Sequence, residues 1–234
     1  MNKASETASF FKNFSALFSG LVLVQIINFL FSLVLPKYFA PADFAEFGIF
    51  TSVVFILIEV VNAKLDIVVM LGKDDLETKK ILNAAFTIAV IIFSILLLVE
   101  LLFLFFLPKI YFLLPFTILL YGIHQPVLVY LNKQEKYAAV NYFRILQVLT
   151  TCAVTLLLAF QHVAHALVYG FIAGLTAATI LVLLYYRPKA DIQSTKEIWE
   201  KYDQFPKYGT WSSLLNNFSR NSVPLLLSNF FTPQ

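Results

Sequence analysis

The chain has 234 residues, of which 59% are hydrophobic and only 13% are charged, and its mean hydropathy is +0.79. A soluble domain is nearer ~45–50% apolar and ~25% charged, and a core bounded by surface cannot absorb the excess, so these values exclude an ordinary soluble protein. Seven glycines, one cysteine and a net charge of +3 offer no Gly-rich phosphate loop and no cysteine metal site, and we expect no cofactor, no metal and no nucleic-acid partner.

Seven stretches are long and apolar enough to cross a bilayer, for which a helix needs about 20 residues. They are continuous rather than alternating, which favours α-helices, because a helix satisfies its own backbone hydrogen bonds in lipid. The expected fold is therefore all-α, a polytopic membrane helix bundle. The predicted spans are 15–35, 44–63, 82–107, 112–131, 139–160, 165–186 and 210–231.

The first two predicted spans are separated by a tight hairpin within "LPKYFAPADFAEFGIF", residues 35–50. Pro36 is expected to end the first helix, because proline cannot continue the backbone hydrogen bonding. Pro41 suits the first position of the next helix, where no donor is missed, and Asp43 then stands in the first turn, where a negative charge is favourable.

Positive charges alternate with the predicted spans. Of the 17 Lys and Arg residues, 14 lie in the N-terminus or in the connections after even-numbered spans, where the entry to span five is counted with its connection. Lys37 and Lys109 lie on the opposite side, and Arg220 lies within span seven. Because basic loops stay in the cytoplasm, this pattern predicts a cytoplasmic N-terminus and supports the number of spans.

The segment 191–207 divides the predicted spans into two groups. Within 193–204, Ile198, Trp199 and Tyr202 recur at helical spacing between charged residues. This pattern is typical of a short amphipathic helix on the cytoplasmic face. We therefore expect a six-helix bundle over 1–190, a linker over 191–207 and one further helix over 208–234.

A weak internal repeat links the two ends of the chain. Residues 35–42, "LPKYFAPA", share Leu, Phe and Pro with residues 227–234, "LSNFFTPQ", and both octets close an odd-numbered span. If the repeat is real, span seven is the first helix of a second copy, and the expectation is a truncated protein. The alternative is a complete seven-helix protein whose C-terminus lies outside.

Three stretches resemble a known family. "LPKYFAPADFAEFGIF" is similar to the proline–x–aspartate–phenylalanine stretch after the first helix of bacterial polysaccharide flippases of the Wzx type, although Ala45 stands where that family usually has glycine. "AKLDIVVMLGKDD", residues 63–75, looks like the basic–Leu–acidic motif that leaves their second helix, and 205–227 looks like the start of their seventh.

This resemblance carries expectations of fold and function. These flippases belong to the multidrug/oligosaccharidyl-lipid/polysaccharide exporter superfamily, whose members have two pseudo-symmetric six-helix bundles around a central cavity. The resemblance implies translocation of lipid-linked oligosaccharide across the bacterial inner membrane by alternating access. Membrane lipid and other polysaccharide-assembly proteins are the further partners that it implies. The predicted organisation, one bundle and one further helix, departs from this two-bundle pattern.

One basic residue lies in the middle of a predicted span. Arg220 stands about 15 Å from each end of span seven at 1.5 Å per residue, and a mid-span arginine costs ~2.5–3.5 kcal/mol on insertion scales. Helical spacing places Ser213, Asn217 and Pro224 on its face, with Asn221 beside them. We expect Arg220, Asn217 and Asn221 to line a substrate pathway where the arginine meets a ligand anion. The alternative is a structural pair of Arg220 with Glu59 or with a backbone carbonyl.

Other polar groups interrupt the first, second and fifth spans. Glu59 and Asp66 are expected on one helical face with Asn62, and Lys64 between them is assigned to the substrate pathway. Arg144 has a depth similar to that of Glu59, which predicts a structural or gating ion pair. Gln25 and Asn28 form a polar stripe on span one, open to two interpretations, cavity lining or helix–helix hydrogen bonding.

Two other classes of protein compete with a flippase. A membrane-embedded glycosyltransferase, acyltransferase or polymerase of the same pathway usually carries acids or histidines in sizeable interfacial loops, whereas the outer connections here are only a few residues long. A seven-helix receptor conflicts with the predicted cytoplasmic N-terminus. We therefore expect a transporter rather than an enzyme, with no catalytic residues.

Overall fold

The computed structural model describes residues 3–103 and 108–230, and the side chains of 18–103 and 108–222. All regular structure in these ranges is helical, which confirms the all-α prediction. The α-helices are α1 Lys3–Val34, α2 Pro41–Val61, α3 Leu65–Val68, α4 Asp75–Leu102, α5 Leu114–Lys133, α6 Tyr137–Phe160, α7 Ala166–Tyr185, α8 Ile192–Lys201 and α9 Thr210–Phe230.

Six segments of the described chain are long and apolar enough to cross a membrane, so the protein is a multi-pass membrane protein. They correspond to the first six predicted spans, except that the third prediction runs on into 104–107, outside the described residues. Helix α9 has the length of a span but is not among these six, and its crossing of the membrane stays a prediction.

The hairpin between α1 and α2 forms as predicted. Helix α1 ends at Val34, and a short 3₁₀ turn, Leu35–Lys37, contains Pro36. Pro41 is the first residue of α2, and the Asp43 carboxylate accepts a hydrogen bond of 2.8 Å from the backbone N–H of Ala40. The acidic side chain therefore satisfies a donor that the start of the helix leaves open.

Helix α5 lies at the centre of the bundle and α1 at its edge. In the most apolar stretch of α5, 56% of the residues are buried, against 6% for α1. Helix α5 packs against α2, α4 and α7, whereas α1 packs chiefly against α6. A helix buried on all sides is apolar all round, so its sequence does not reveal which face meets which neighbour.

Helices α6 and α7 approach closely through two glycines. Gly170 and Gly174 are four residues apart on α7, the small-xxx-small spacing that allows membrane helices to pack. A Cβ atom on Gly170 would lie 1.9 Å from Oγ1 of Thr155, and one on Gly174 would lie 2.5 Å from the carbonyl oxygen of Gln147. The threonines of α6 thus occupy the space that these glycines leave open.

We call one end of the molecule the basic end: it comprises the α2–α4 and α5–α6 connections, α8, and the first turn of α4. Lys133, the last residue of α5, donates hydrogen bonds to the carbonyls of Val69 (3.0 Å) and Gly72 (2.6 Å) and to the hydroxyl of Thr78 (2.7 Å). These bonds fasten the connection between α2 and α4 to α5.

Helix α8 confirms the short helix predicted within 193–204. Asp191 caps its start by accepting a hydrogen bond of 3.1 Å from the N–H of Ser194, and Ile198 is buried against α4 and its neighbours. Lys201 forms an ion pair with Glu77 on α4. Ile198 and Tyr202 therefore pack on protein, whereas Trp199 is exposed.

Helix α9 follows α8 through a π-helical turn, Phe205–Gly209, and packs against α2. Its described face toward α2 carries the half-buried Ser213, Asn217 and Asn221, while Leu215 and Phe218 are exposed. The predicted repeat between 35–42 and 227–234 falls partly on 231–234, outside the described residues, and stays a prediction.

Candidate functional site

A polar cavity of about 300 Å³ lies where α2 ends, toward the basic end. Helix α2 and the turn after it provide one wall, and Tyr121 and Gln125 on α5 provide the other. Two carboxyl groups and one ammonium group face it. The lining residues are Ile58, Glu59, Val61, Asn62, Lys64, Asp66, Tyr121 and Gln125.

Glu59 is the centre of the charged contacts in this cavity. One carboxylate oxygen forms an ion pair with the ammonium of Lys64, and the other accepts a hydrogen bond from the side-chain amide of Asn217 on α9. The side chains of Lys64 and Glu59 are only 13% and 15% exposed. An ion pair so far removed from water is held by its own attraction and by such additional hydrogen bonds.

The backbone turn after α2 brings Lys64 back to Glu59. Ala63 and Lys64 adopt left-handed conformations, with φ of 48° and 61°, which side-chain-bearing residues rarely adopt. Two such residues in succession cost about 1–3 kcal/mol each, and conformations of this kind cluster at functional sites. The turn reverses the chain so that a residue after the helix contacts one in its last turns.

Asn62 fixes the position of that turn. Its side chain is 3% exposed, and its amide donates hydrogen bonds to the carbonyls of Ala85 on α4 (3.0 Å) and Gly122 on α5 (2.9 Å). A Cβ atom on Gly122 would lie 2.6 Å from the Cβ of Ala89, so α4 and α5 approach closely at this level. Asn62, at the C-terminal end of α2, therefore joins that helix to α4 and α5.

Asp66 lies on α3 and lines the cavity. Burial raises the pKa of its carboxyl above the ordinary value, and the nearby Lys64 ammonium opposes this shift. Lys64 is already paired with Glu59, whose own negative charge adds to the increase. The second carboxyl of the cavity thus has a greater tendency to hold a proton than an exposed aspartate.

The start of α9 contacts two of the cavity residues, Lys64 and Glu59. A Cβ atom on Gly209, in the π-helical turn, would lie 3.6 Å from Cγ of Lys64, so the turn packs against the lysine stem. About three turns further along, Asn221 donates a hydrogen bond of 3.0 Å to the carbonyl of Asn217, beside the contact with Glu59. Single-turn π-helical segments are frequent at functional sites.

The structure brings together Glu59, Lys64, Asp66 and Asn217 from the sequence prediction, but it corrects how they meet. Helix α2 ends at Val61, so Asp66 does not share a continuous helical face with Glu59. The predicted Glu59–Arg144 ion pair is wrong, because Lys64 pairs with Glu59 while Arg144 lies half-buried on α6, which packs on α1 and α7. Its guanidinium lies within electrostatic range of His124 on α5.

Arg220, Gln25 and Asn28 do not line the cavity. The alternative pairing of Arg220 with Glu59 is not formed, and the Arg220 side chain is exposed beside the face that α9 turns to α2. Gln25 and Asn28 are exposed on α1, and Gln25 borders a shallow apolar groove with Phe18, Ile26 and Phe29. A role for these three residues in a substrate pathway stays a prediction.

Sequence reasoning missed Tyr121 and Gln125 as cavity residues. Both lie in a continuous apolar span, and only the packing of α5 against α2 places them opposite Glu59. One signal was available for Gln125. It is a polar residue within an apolar span and next to Pro126, a proline inside the helix, and this combination could have indicated a functional position.

The charged and amide groups of the cavity can bind an anionic or hydroxyl-rich molecule. A buried ammonium held by a carboxylate can exchange that partner for another anion, and the amide and carboxyl groups around it suit hydroxyl-rich molecules. Among residues 3–103 and 108–230, no group of three or more His, Cys, Asp or Glu side chains is placed to hold a metal ion.

Taken together, the helices and the cavity define a multi-pass membrane protein with an ion-paired polar site at the junction of α2, α5 and α9. The model of a family described as polysaccharide biosynthesis proteins matches residues 34–234. The chain therefore belongs to this family of polysaccharide biosynthesis proteins. Comparisons with curated proteins and with solved structures gave no match to it.

Proposed function

We propose that this chain translocates a polyprenyl-diphosphate-linked oligosaccharide across the bacterial inner membrane by alternating access. The observation that carries the proposal is the Glu59–Lys64 ion pair in a cavity of about 300 Å³, bridged to α9 by Asn217. Membership of the polysaccharide biosynthesis family supports a substrate of this kind.

The ion pair supplies a mechanism for binding and release. A diphosphate entering the cavity competes with Glu59 for the Lys64 ammonium, since phosphate oxygens are strong acceptors of charge-assisted hydrogen bonds. Glu59 keeps its second partner, Asn217, while Lys64 turns to the substrate. Because Asn217 belongs to α9, Glu59 is then held only from α9, and this shift in the partners of Glu59 would gate the position of α9 against the six-helix bundle.

Arg220 extends the same path. It lies three residues beyond Asn217 on α9, about 4.5 Å further along the helix axis at 1.5 Å per residue. Its exposed guanidinium is the next cation that a diphosphate would meet after Lys64. The two cations would hold the charged head group in turn, while amide and carboxyl groups of the cavity wall would bind sugar hydroxyls. Rocking of this bundle against a second one would alternate the access.

The proposal is tested by complementation in a bacterial strain that lacks its own flippase. The Lys64→Gln and Arg220→Ala variants are compared with the parent, and both surface polysaccharide and lipid-linked repeat units on the inner leaflet are measured. We expect Lys64→Gln to lower the amount of surface polysaccharide at least about tenfold, because a hydrogen bond to a charged group contributes about 1.5–3 kcal/mol.

The matched control is Lys196→Gln, which removes a lysine with a 79% exposed side chain on α8 and should leave transport unchanged. Full transport by the Lys64→Gln variant would refute the role of the ion pair. Incorporation of labelled sugar by membranes that already contain an intact flippase would instead identify the protein as a transferase or polymerase.

A further inference from the structure

A second buried acid lies far from the ion-paired cavity. Glu100 stands two residues before the end of α4, toward the end of the bundle opposite the basic end, and is only 7% exposed. Its Oε2 atom is fully buried and accepts no hydrogen bond from any described residue. Most buried carboxyl oxygens have a donor, so this one requires an explanation.

The surroundings of Glu100 are apolar. It borders a cavity of about 290 Å³ whose other walls come from α2, α4, the Lys109–Leu113 turn and the start of α5. Glu100 is the one acidic or basic residue of the lining. The remaining lining residues are Val53, Leu57, Leu96, Val99, Tyr111, Leu114, Pro115 and Ile118.

Other titratable groups near this cavity are few. Tyr111 is part of the lining, and Glu46 on α2 lies within electrostatic range of its phenol. Glu46 is itself paired with His165 at 2.6 Å, and Lys109 begins the turn that carries Tyr111. None of these groups forms an ion pair with Glu100 in the part of the chain that the structure describes.

We infer that Glu100 is a proton-binding site that opens toward the end of the bundle opposite the Glu59–Lys64 cavity. An ionised carboxylate with no donor in apolar surroundings is very costly, so the group takes up a proton instead. The cavity provides the space through which water can reach the carboxyl and exchange that proton. The sequence stays apolar from Leu101 to Leu107, which places the acid within the predicted third span rather than beyond it.

A proton site at one end and an ion-paired cavity at the other would allow the bundle to couple to a proton gradient. That use of the site rests on the proposed function, whereas proton binding by Glu100 does not. An experiment on the carboxyl itself therefore separates the failure of one from the failure of the other.

The test uses dicyclohexylcarbodiimide, an apolar reagent, on the full chain in membrane vesicles. The carboxyl oxygen adds to its central carbon while the acid proton passes to its nitrogen, and the adduct rearranges to a stable N-acylurea of the same composition. Mass spectrometry then reports which peptide carries the reagent. We expect labelling of Glu100 that falls as the pH is raised from about 6 to about 9, because only the protonated acid reacts in this way.

Two comparisons make the result specific. Val53→Phe narrows the cavity without changing Glu100, and it should lower the labelling severalfold while the melting temperature of the protein stays close to that of the parent. Glu200, 67% exposed on α8, is the control carboxyl and should remain unlabelled. Absence of label on Glu100, label that does not change with pH, or equal label in the Val53→Phe variant would each overturn the inference.

Discussion

Asn217 on α9 donates its side-chain amide to the carboxylate of Glu59 on α2. This hydrogen bond connects the last described helix to the polar cavity of the six-helix bundle. It forms on the carboxylate oxygen that Lys64 does not use, so the ion pair and the helix contact share one residue. A substitution of Glu59 therefore alters both the charge balance of the cavity and the contact between α2 and α9.

The first prediction concerns the coupling between Glu59 and Lys64. Glu59→Gln removes the carboxylate paired with the buried ammonium, and loss of one partner of a buried pair costs about 3–5 kcal/mol. Lys64→Gln in the same chain removes the stranded charge, so the double variant should be more stable than Glu59→Gln alone. Thermal melting of the detergent-solubilised protein measures both effects.

The exposed i,i+4 pair Lys207–Asp203 is the control for this cycle, with side chains 58% and 48% exposed. Lys207→Gln should not shift the melting temperature measurably, because water and salt screen such pairs. Additive effects of Glu59→Gln and Lys64→Gln would contradict the assignment of a coupled pair.

The second prediction concerns Asn62. Asn62→Ala removes two hydrogen bonds to the carbonyls of Ala85 and Gly122, and at about 0.5–1.5 kcal/mol per bond the loss of unfolding free energy should be about 1–3 kcal/mol. The measurement is again thermal melting. Gln193→Ala, an exposed position on α8, should have no effect. Equal stability of the two variants would show that Asn62 does not hold the turn.

The third prediction concerns the contact of α6 with α7. In Gly174→Ala the new Cβ would lie 2.5 Å from the backbone oxygen of Gln147, and a backbone atom cannot rotate away. Overpacking of this kind typically costs about 1–3 kcal/mol, so we expect a clear fall in melting temperature. Gly48→Ala on α2 is the matched control, since nothing lies within 4 Å of its added Cβ, and that variant should melt at or above the parent temperature.

The fourth prediction concerns pH and Asp66. The pKa of this carboxyl is raised in the folded state by burial, so the folded protein holds the proton more tightly than the unfolded chain. Stability from this group is therefore complete below the ordinary pKa of 3.8 and is lost as the pH rises through the folded value. Asp66→Asn should thus stabilise the protein relative to the parent at neutral pH, with less benefit under acid conditions.

Asp203 provides the control of opposite sign. Its hydrogen bond with Lys207 lowers the pKa of the carboxyl, so its contribution is present above the ordinary pKa of 3.8 and is lost as the pH falls through the folded value. Asp203→Asn should therefore destabilise the protein slightly at neutral pH. Melting curves recorded across the acid range for both variants distinguish the two directions.

The fifth prediction concerns orientation. Cys152 is the only cysteine, so a Cys152→Ala chain accepts single reporters at Lys37, between α1 and α2, and at Lys196 on α8. If the basic end is cytoplasmic, a membrane-impermeant maleimide should label Lys37→Cys in intact spheroplasts and Lys196→Cys only after lysis. The reverse labelling would place the N-terminus outside.

The hairpin at Pro36 and Pro41 illustrates how far local chemistry reaches. Proline geometry and the Asp43 carboxylate act within a few residues, so the ends of α1 and α2 follow from the sequence. The helical class follows for the same kind of reason, because continuous apolar stretches must satisfy their backbone within each segment.

The partner of Glu59 could not be obtained in this way. Depth along a helix favoured Arg144, but depth does not say which helices are neighbours, and α6 packs away from α2. Lys64 instead contacts Glu59 because Ala63 and Lys64 both adopt left-handed backbone conformations. Glycine and asparagine favour this conformation, but neither stands at these two positions, so the sequence did not predict the turn. The close contact of Gly170 and Gly174 with α6 likewise depends on which helix occupies that side.

Three properties of this protein depend only on short stretches of chain. They are its membrane class, the helix boundaries at the proline hairpin and the clustering of basic residues at alternate connections. They could be obtained from residue order because their causes act along the backbone or between one segment and the solvent. The polar cavity, the Glu59–Lys64–Asn217 contacts and the isolation of Glu100 depend on contacts between helices far apart in the chain. The apolar spans show no amphipathic pattern that marks the face toward a neighbour. Only their packing therefore determined which polar groups meet and which described acid is left without a partner.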